Sequence, residues 1–147
     1  MTTIYATIGA PASGKSTFIN NYSKQNGLIV VCPDTIRERL TGSESNQYKN
    51  AEVFLVAAQE LCVELKAGRD VCFDATNTTD KNRKIVYKLA EITGSKIVWH
   101  VFKRPLETLL KQNQQRSRKV PDDVIKRFYN NFTTPTPKDS NESIVLN

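Results

Sequence analysis

A chain of 147 residues is long enough to bury one proper core and too short for two ordinary domains. With 39% hydrophobic and 24% charged residues it reads as a soluble globular fold rather than a disordered one, and no apolar run approaches the roughly 20 residues that span a bilayer. The net charge of +6 is unevenly placed, with 13 Lys or Arg against 4 Asp or Glu between Lys81 and Phe128, which favours a polyanionic partner without demanding one.

The first residues, "MTTIYATIGA", lack a basic flank and a long apolar stretch, so no signal peptide is expected. Thr2 to Ile8 reads as a β-branched, aromatic-containing strand. It is cut off by "GAPASGKST", in which Gly9, four residues, Gly14, Lys15 and Ser16 have the spacing of a phosphate-cradling loop between strand and helix. Gly9 and Gly14 let the backbone curl, so that the N–H groups of Ala12, Ser13 and Gly14 point inward at phosphate oxygens. Lys15 would neutralise the β- and γ-phosphates, Ser16 would offer its hydroxyl to Mg²⁺, and Thr17 would follow in the first turn of the helix. That helix runs from Lys15 to about Lys24, with Phe18, Ile19 and Tyr22 at helical spacing.

"GLIVVC", Gly27 to Cys32, is a continuous apolar run, as expected of a strand buried on both faces. Pro33 ends it, and the short helix "TIRERL" follows. Asp34 and Arg37, three residues apart, fall on one side of a helical turn. Asp34 could take a proton from an attacking hydroxyl, and Arg37 could grip an acceptor phosphate or carboxylate by a forked contact. Equally, Asp34 could serve only as a helix cap, with Arg37 on a solvated face. "TGSESN" is a loop. From about Asn46 to Ala67, Val53, Phe54, Ala57, Leu61 and Leu65 mark a long helix closed by Gly68.

"DVCFDATN" is a third strand ending in polar residues. Asp74 at its end sits where a P-loop enzyme places a second Mg²⁺-organising carboxylate, or it could brace Arg37 by a salt bridge. Thr76 belongs to the same polar end, and Asn77 to Thr79 also suit a turn and helix cap. A helix over Asp80 to Thr93, a fourth strand "KIVWHVF" and a helix opened by Pro105 come next. "QQRSRK" then interrupts, and a last helix runs from Pro121 through Phe132. An arginine-bearing interruption between two helices suits a lid that closes over phosphates, with Arg116 and Arg118 as its candidates. The tail, 133–147, is turn-rich, with an edge strand at Ser143 to Leu146.

His100, the only histidine, lies inside the fourth strand and reads as a packed core residue without chemistry. Trp99 and Tyr48 could stack on a base or simply pack. Cys32, Cys62 and Cys72 are odd in number and form no CxxC pair, so buried free thiols in a reducing compartment are expected.

Strands alternating with helices predict a parallel sheet of four to five strands, covered on both faces, within one domain spanning 1–147 whose core is about 2–132. In such sheets ligands bind beyond the carboxyl ends of the strands. The loop at Gly9, the Asp34–Arg37 pair and the Asp74 cluster follow the first three strands and therefore converge on one crevice.

With these clusters in place, Thr3 to Phe132 resembles the kinase domain of the phage-type polynucleotide 5′-hydroxyl kinases. The markers are "GAPASGKST", the Asp-x-x-Arg of Asp34 and Arg37, "DATNT", and a lid arginine shortly before "VP". The resemblance implies a P-loop NTPase with an adenylate-kinase-like sheet, ATP as phosphate donor, Mg²⁺, and the 5′-hydroxyl ends of DNA or RNA as acceptors. It implies Asp34 as general base, Arg37 as the group that binds the 3′-phosphate of the terminal nucleotide, and Asp74 as a support for this arrangement. It implies Arg116 as the lid arginine at the donor phosphates and a cytoplasmic setting, in a bacterial or phage-infected cell. A second lid arginine falls at Gln112 here, so Arg118 would substitute. The Asp-x-Asp-Gly-Thr motif of bifunctional members is absent, so no 3′-phosphatase activity is expected.

The nearest alternative keeps the fold but phosphorylates a small molecule such as a nucleoside, nucleotide or sugar. A second alternative is a nucleotide-binding module without transfer activity, although such a module would need no acceptor-side base.

Overall fold

The computed structural model describes every residue from Met1 to Asn147. Five strands, β1 (Thr3–Gly9), β2 (Ile29–Val31), β3 (Val71–Phe73), β4 (Lys96–Phe102) and β5 (Glu142–Leu146), form one sheet in the order β2-β3-β1-β4-β5. Every pairing is parallel. Helices α1 (Lys15–Asn26), α2 (Pro33–Thr41), α3 (Asn50–Lys66), α4 (Asp80–Thr93), α5 (Leu106–Gln114) and α6 (Asp122–Asn130) connect them. From β1 the chain crosses β3 to reach β2, and from β3 it crosses β1 to reach β4. With right-handed crossovers this puts α1 on one face and α3 with α4 on the other.

The period of two in β1 divides its side chains between those faces. Ile4, Ala6 and Ile8 join Trp99 and Val101 of β4 in a core closed by Val53, Ala57, Leu61 and Leu65 of α3 and by Val86 and Leu89 of α4. Tyr5 and His100 face α1, where they meet Tyr22 and Phe18. His100 is buried among these rings with neither nitrogen hydrogen-bonded, and burial pushes its pKa down. A neutral imidazole packed as an aromatic surface is the result.

Several element ends differ from the sequence expectation. β2 is an edge strand of three residues with Ile29 exposed, so it is not buried on both faces. β3 stops at Phe73, because Asp74 to Thr79 turn across the tip of β1, where Gly9 N–H donates to the Thr76 carbonyl at 2.9 Å. The long helix begins at Asn50 rather than Asn46. Cys72 is fully buried and its thiol is pushed up to about 11 by burial and by Asp70, while Cys32 and Cys62 are half-buried; all three are free.

The tail supplies the fifth strand, one residue longer than expected at its start. Its anchor is Glu142, whose buried carboxylate accepts from Tyr87 Oη (2.6 Å) and Trp99 Nε1 (2.9 Å) on one oxygen and from the Lys138 N–H (2.8 Å) on the other. Trp99 is thus a core residue and cannot stack on a base. Glu142→Ala would leave these donors unpaired. We expect a loss of about 3 kcal/mol and a fall of about 10 °C in Tm, read by circular dichroism; an unchanged Tm would mean that the strand is held by its backbone alone.

Candidate active site

The sheet order reverses between β1 and β3, and the carboxyl ends of these strands carry the loop at Gly9 and the Asp74 turn. That is the crevice where open parallel sheets take ligands. The loop 9–14 ends on Gly14 at φ 92°, the N-cap of α1, with no side-chain cap and no acidic residue in the first turn. The first N–H groups of α1 are therefore uncapped by any side chain, and the helix dipole adds positive potential there. Ala12 also has a left-handed backbone, φ 71°, which is costly for a residue with a Cβ and marks a loop held in a special curl. A Cβ on Gly9 would stand 3.3 Å from the Phe102 carbonyl and 2.5 Å from Ser13 Oγ, so β4 and the loop approach too closely for alanine. Ser13 Oγ is itself buried without a hydrogen-bond partner.

Behind the loop, Ser16 Oγ donates to Asp74 Oδ2 at 2.7 Å, and Lys15 Nζ stands 3.7 Å from Asp74 Oδ1. Asp74 is 5% exposed, and its carboxylate is held by these two partners and by Thr7 Oγ1 at 3.5 Å from Oδ1. Asp74 does not brace Arg37, which was the alternative left open by the sequence. The turn that carries Asp74 is locked by Thr7, to which the sequence reading gives no part in the site, and by Asn77, which it reads as a turn residue of the same cluster. Thr7 Oγ1 donates to the Ala75 carbonyl at 2.8 Å, and Asn77, with φ 48°, donates from Nδ2 to the Thr7 carbonyl at 3.0 Å. A polar threonine inside an otherwise apolar strand was the available signal for the first. Thr76 contributes its carbonyl to Gly9, and its side chain makes no hydrogen bond to the site.

A hydroxyl beside a fixed carboxylate suits Mg²⁺, which takes oxygen ligands and keeps several from water and phosphate. No cluster of three or more His, Cys, Asp or Glu side chains could cage a metal unaided. The fit is therefore to an ion held by Ser16 and Asp74 together with phosphate oxygens.

Beyond the tip of β2, Pro33 takes the first helical position and Cys32 the N-cap of α2, so Asp34 sits in the first turn rather than capping it. Arg37 is 5% exposed, not on a solvated face. It donates from Nη1 to Asp34 Oδ1 (2.7 Å) and from Nη2 to Asn50 Oδ1 (2.8 Å), leaving Nε buried and unpartnered. The other Asp34 oxygen accepts from Arg118 Nη1 at 3.1 Å, and the same nitrogen lies 2.7 Å from Glu44 Oε2. Tyr48, in the loop between α2 and α3, is almost wholly exposed.

The segment between α5 and α6 is pinned at its base by Asn113, fully buried, which bonds both the N–H and the carbonyl of Val120. Below it Leu109 and Ile125 pack on Ala10 of the glycine loop. That segment is thus built onto the glycine loop, and Asn113 is not visible as a site residue in the sequence. Arg116 Nη1 is buried without a partner. Burial, then the neighbouring Arg118 charge, push its pKa below the ordinary guanidinium value, against the attraction of Asp34 and Glu44. A desolvated cation with an unpaired donor is a fit for an incoming anion. Beside Ala10 lies a cavity of about 220 Å³ lined by Phe102, Arg104, Leu109, Tyr129 and Phe132 among others.

Residues 4–135 match the family model of the AAA domain, AAA_33. The L-seryl-tRNA(Sec) kinase of Methanococcus maripaludis is 31% identical over 137 residues, covering 88% of this chain and 52% of that kinase, so the chain spans about half its length. A chain of the Pnkp1/Rnl/Hen1 RNA repair complex superposes with a TM-score of 0.78 at 22% identity, over 88% of this chain and 43% of its own. A sugar kinase from Janibacter sp. HTCC2649 does so with a TM-score of 0.73 at 16% identity, over 99% and 84%. The matched family model covers most of the sequence: the chain belongs to the AAA_33 family of AAA domains, with the P-loop kinase fold.

Proposed function

We propose that the chain is an ATP-dependent kinase that transfers the γ-phosphate to the 5′-hydroxyl end of DNA or RNA. The observation that carries this reading is the pairing, along the carboxyl edge of β1, β3 and β2, of a phosphate loop locked to Asp74 with a half-exposed Asp34 carboxylate framed by arginines. The triphosphate rests on the N–H groups of 12–16, with Lys15 at its β- and γ-phosphates and the base directed to the cavity beside Ala10. Ser16 and Asp74 would hold Mg²⁺, which would supply neutralisation of phosphate charge. Asp34 takes the proton of the acceptor hydroxyl, whose oxygen bonds to the γ-phosphorus as the bond to the β-γ bridging oxygen breaks and ADP leaves. Arg116 meets the charge on the migrating group, and Arg37 faces the acceptor's own phosphate.

A nucleic acid acceptor is supported by the basic surplus over 81–128 and by the names of two relatives, one a tRNA-linked kinase and one an RNA repair complex. A second reading, phosphorylation of a small molecule, is favoured by the near-complete overlap with a sugar kinase and by the commitment of Arg37 to Asn50 and Asp34.

Salt titration separates the two. Oligonucleotide affinity should fall by about 0.7 log units per decade of salt for each phosphate neutralised. A flat response, together with efficient radiolabel transfer from ATP to a nucleoside or sugar, would select the small-molecule reading.

A further inference from the structure

The basic surplus between Lys81 and Phe128 is not spread evenly over the fold. Arg83 is buried, and Arg116, Arg118 and Lys119 sit in the segment between α5 and α6. On α5 and α6 every basic residue has an acid four residues before it: Glu107 for Lys111, Asp122 for Lys126 and Asp123 for Arg127. That spacing places opposite charges side by side on a helix, so those faces are close to neutral. Helix α4 differs. Lys81, Lys84 and Lys88 recur at i, i+3 and i+7 and form one exposed row, opposite the side where Val86, Leu89 and Ala90 are buried. None of the three is ion-paired. Asp80, four residues before Lys84, is bound instead to Arg83 at 2.6 Å. Glu91, one turn beyond Lys88, is the only other acid of the helix, so the row keeps a net positive charge. Lys138 Nζ, 3.6 Å from the centre of the Tyr87 ring, adds to it at the flank.

We infer that this row on α4 binds the body of a single-stranded nucleic acid by its phosphates, independently of sequence, while the strand's 5′ end lies in the crevice. Helix α4 starts directly after the Asp74 turn, at the carboxyl edge of the sheet, and runs back toward the start of β4. Its row therefore begins beside the crevice and leads away from it. From Lys81 to Lys88 is about 10 Å along the helix axis, the axial length of roughly three nucleotides of a helical strand. Ammonium groups in single file fit a line of phosphates. Lysine, a compact charge on a flexible stem, suits contacts that position a strand and read no base. A lipid surface is a poorer match, because it calls for a cluster of at least about four basic residues, and α4 presents three in one file. The row touches no reacting atom; it raises affinity for long acceptors over short ones.

Such binding rests on the nucleic acid reading of the acceptor, but its first measurement needs no phosphoryl transfer. Fluorescence anisotropy, without ATP, would follow a labelled single strand of about 20 nucleotides on wild type and on the triple variant Lys81→Gln, Lys84→Gln, Lys88→Gln. Glutamine is nearly as good a helix former as lysine, so α4 and the Tm should be kept. The variant should bind about tenfold or more weakly at low salt, and its slope of log affinity against log salt should be shallower by about 2. The triple variant Lys111→Gln, Lys126→Gln, Arg127→Gln, on the charge-matched helices, should keep the wild-type slope. Equal slopes for wild type and the α4 variant overturn the inference, as does an equal loss in the α5–α6 variant, which would make net charge the cause. In transfer assays the ratio of kcat/KM on the long strand to that on a 5′-hydroxyl dinucleotide should fall about tenfold in the α4 variant. An equal loss on both acceptors overturns the inference. The kinase reading fails differently: wild type would bind the strand through α4 and transfer nothing to it. Transfer to a nucleoside or sugar with no strand binding would keep a kinase and overturn the row's role. Lysine-dependent binding to phosphatidylserine vesicles in place of the strand would overturn it as well, in favour of a membrane surface.

Discussion

Asp34→Ala should lower phosphoryl transfer by roughly 10² to 10⁴-fold while leaving ATP binding in place. The carboxylate is the only acid at the tip of β2, it lies outside the phosphate loop, and it makes no bond to Lys15 or Ser16. Donor affinity therefore has no reason to change. The side chain also neutralises Arg37, whose buried head would lose its anion, and part of the effect in the alanine variant would come from that disturbance. Asp34→Asn removes the ambiguity. It keeps an acceptor for Arg37 Nη1 at the same place and removes the group that takes the proton. Single-turnover transfer on the true acceptor, with ATP affinity measured by calorimetry, should show both variants slow and both binding nucleotide. Full activity in the asparagine variant would remove Asp34 from proton transfer and leave it as an anchor for Arg37.

The parts of the site that were legible in the sequence are those fixed by local chain geometry. A glycine loop between an apolar strand and a helix can be read because its backbone curl needs glycine at set positions, and α4 can be read because Ile85, Val86, Leu89 and Ile92 repeat at helical spacing. The placement of Asp34 and Asp74 beyond the carboxyl ends of β2 and β3 follows from strand alternation alone, since parallel crossovers bring all carboxyl ends to one edge. What stayed hidden are contacts between segments distant in sequence. Arg83 is fully buried and binds the carbonyls of Asn77 and Thr133, joining the Asp74 turn to the chain beyond α6. An arginine on an apolar stripe hints at burial, but its partner fifty residues on is set by tertiary packing. Glu44 gave no hint at all. A glutamate in a serine-rich turn acquires meaning only when Arg118 arrives from the other side of the crevice. The same limit explains β2. Its apolar run is typical of a central strand, and only the sheet order, with the chain crossing β3 to reach it, puts it at the edge.

The second large effect is expected at Asp74, where Asp74→Asn should lower turnover about 10² to 10³-fold and raise the Mg²⁺ concentration needed for half-maximal activity by roughly 10 to 100-fold. The carboxylate accepts the Ser16 hydroxyl at 2.7 Å and stands 3.7 Å from the Lys15 ammonium, so one side chain sets the positions of both groups proposed to face the triphosphate. Asparagine can retain the Ser16 bond but carries no charge to attract a divalent ion or to balance Lys15. The sign for nucleotide alone is opposite. A buried carboxylate close to the phosphate seat repels a triphosphate when no cation lies between them, so in the presence of a chelator Asp74→Asn should bind ATP at least as tightly as wild type. Measuring affinity with and without Mg²⁺ separates these cases. Weaker binding in chelator as well would show that Asp74 mainly holds the loop's shape. A wild-type Mg²⁺ requirement would place the cation elsewhere, and Ser16 would then be held by Asp74 for the fold of the loop rather than for chemistry.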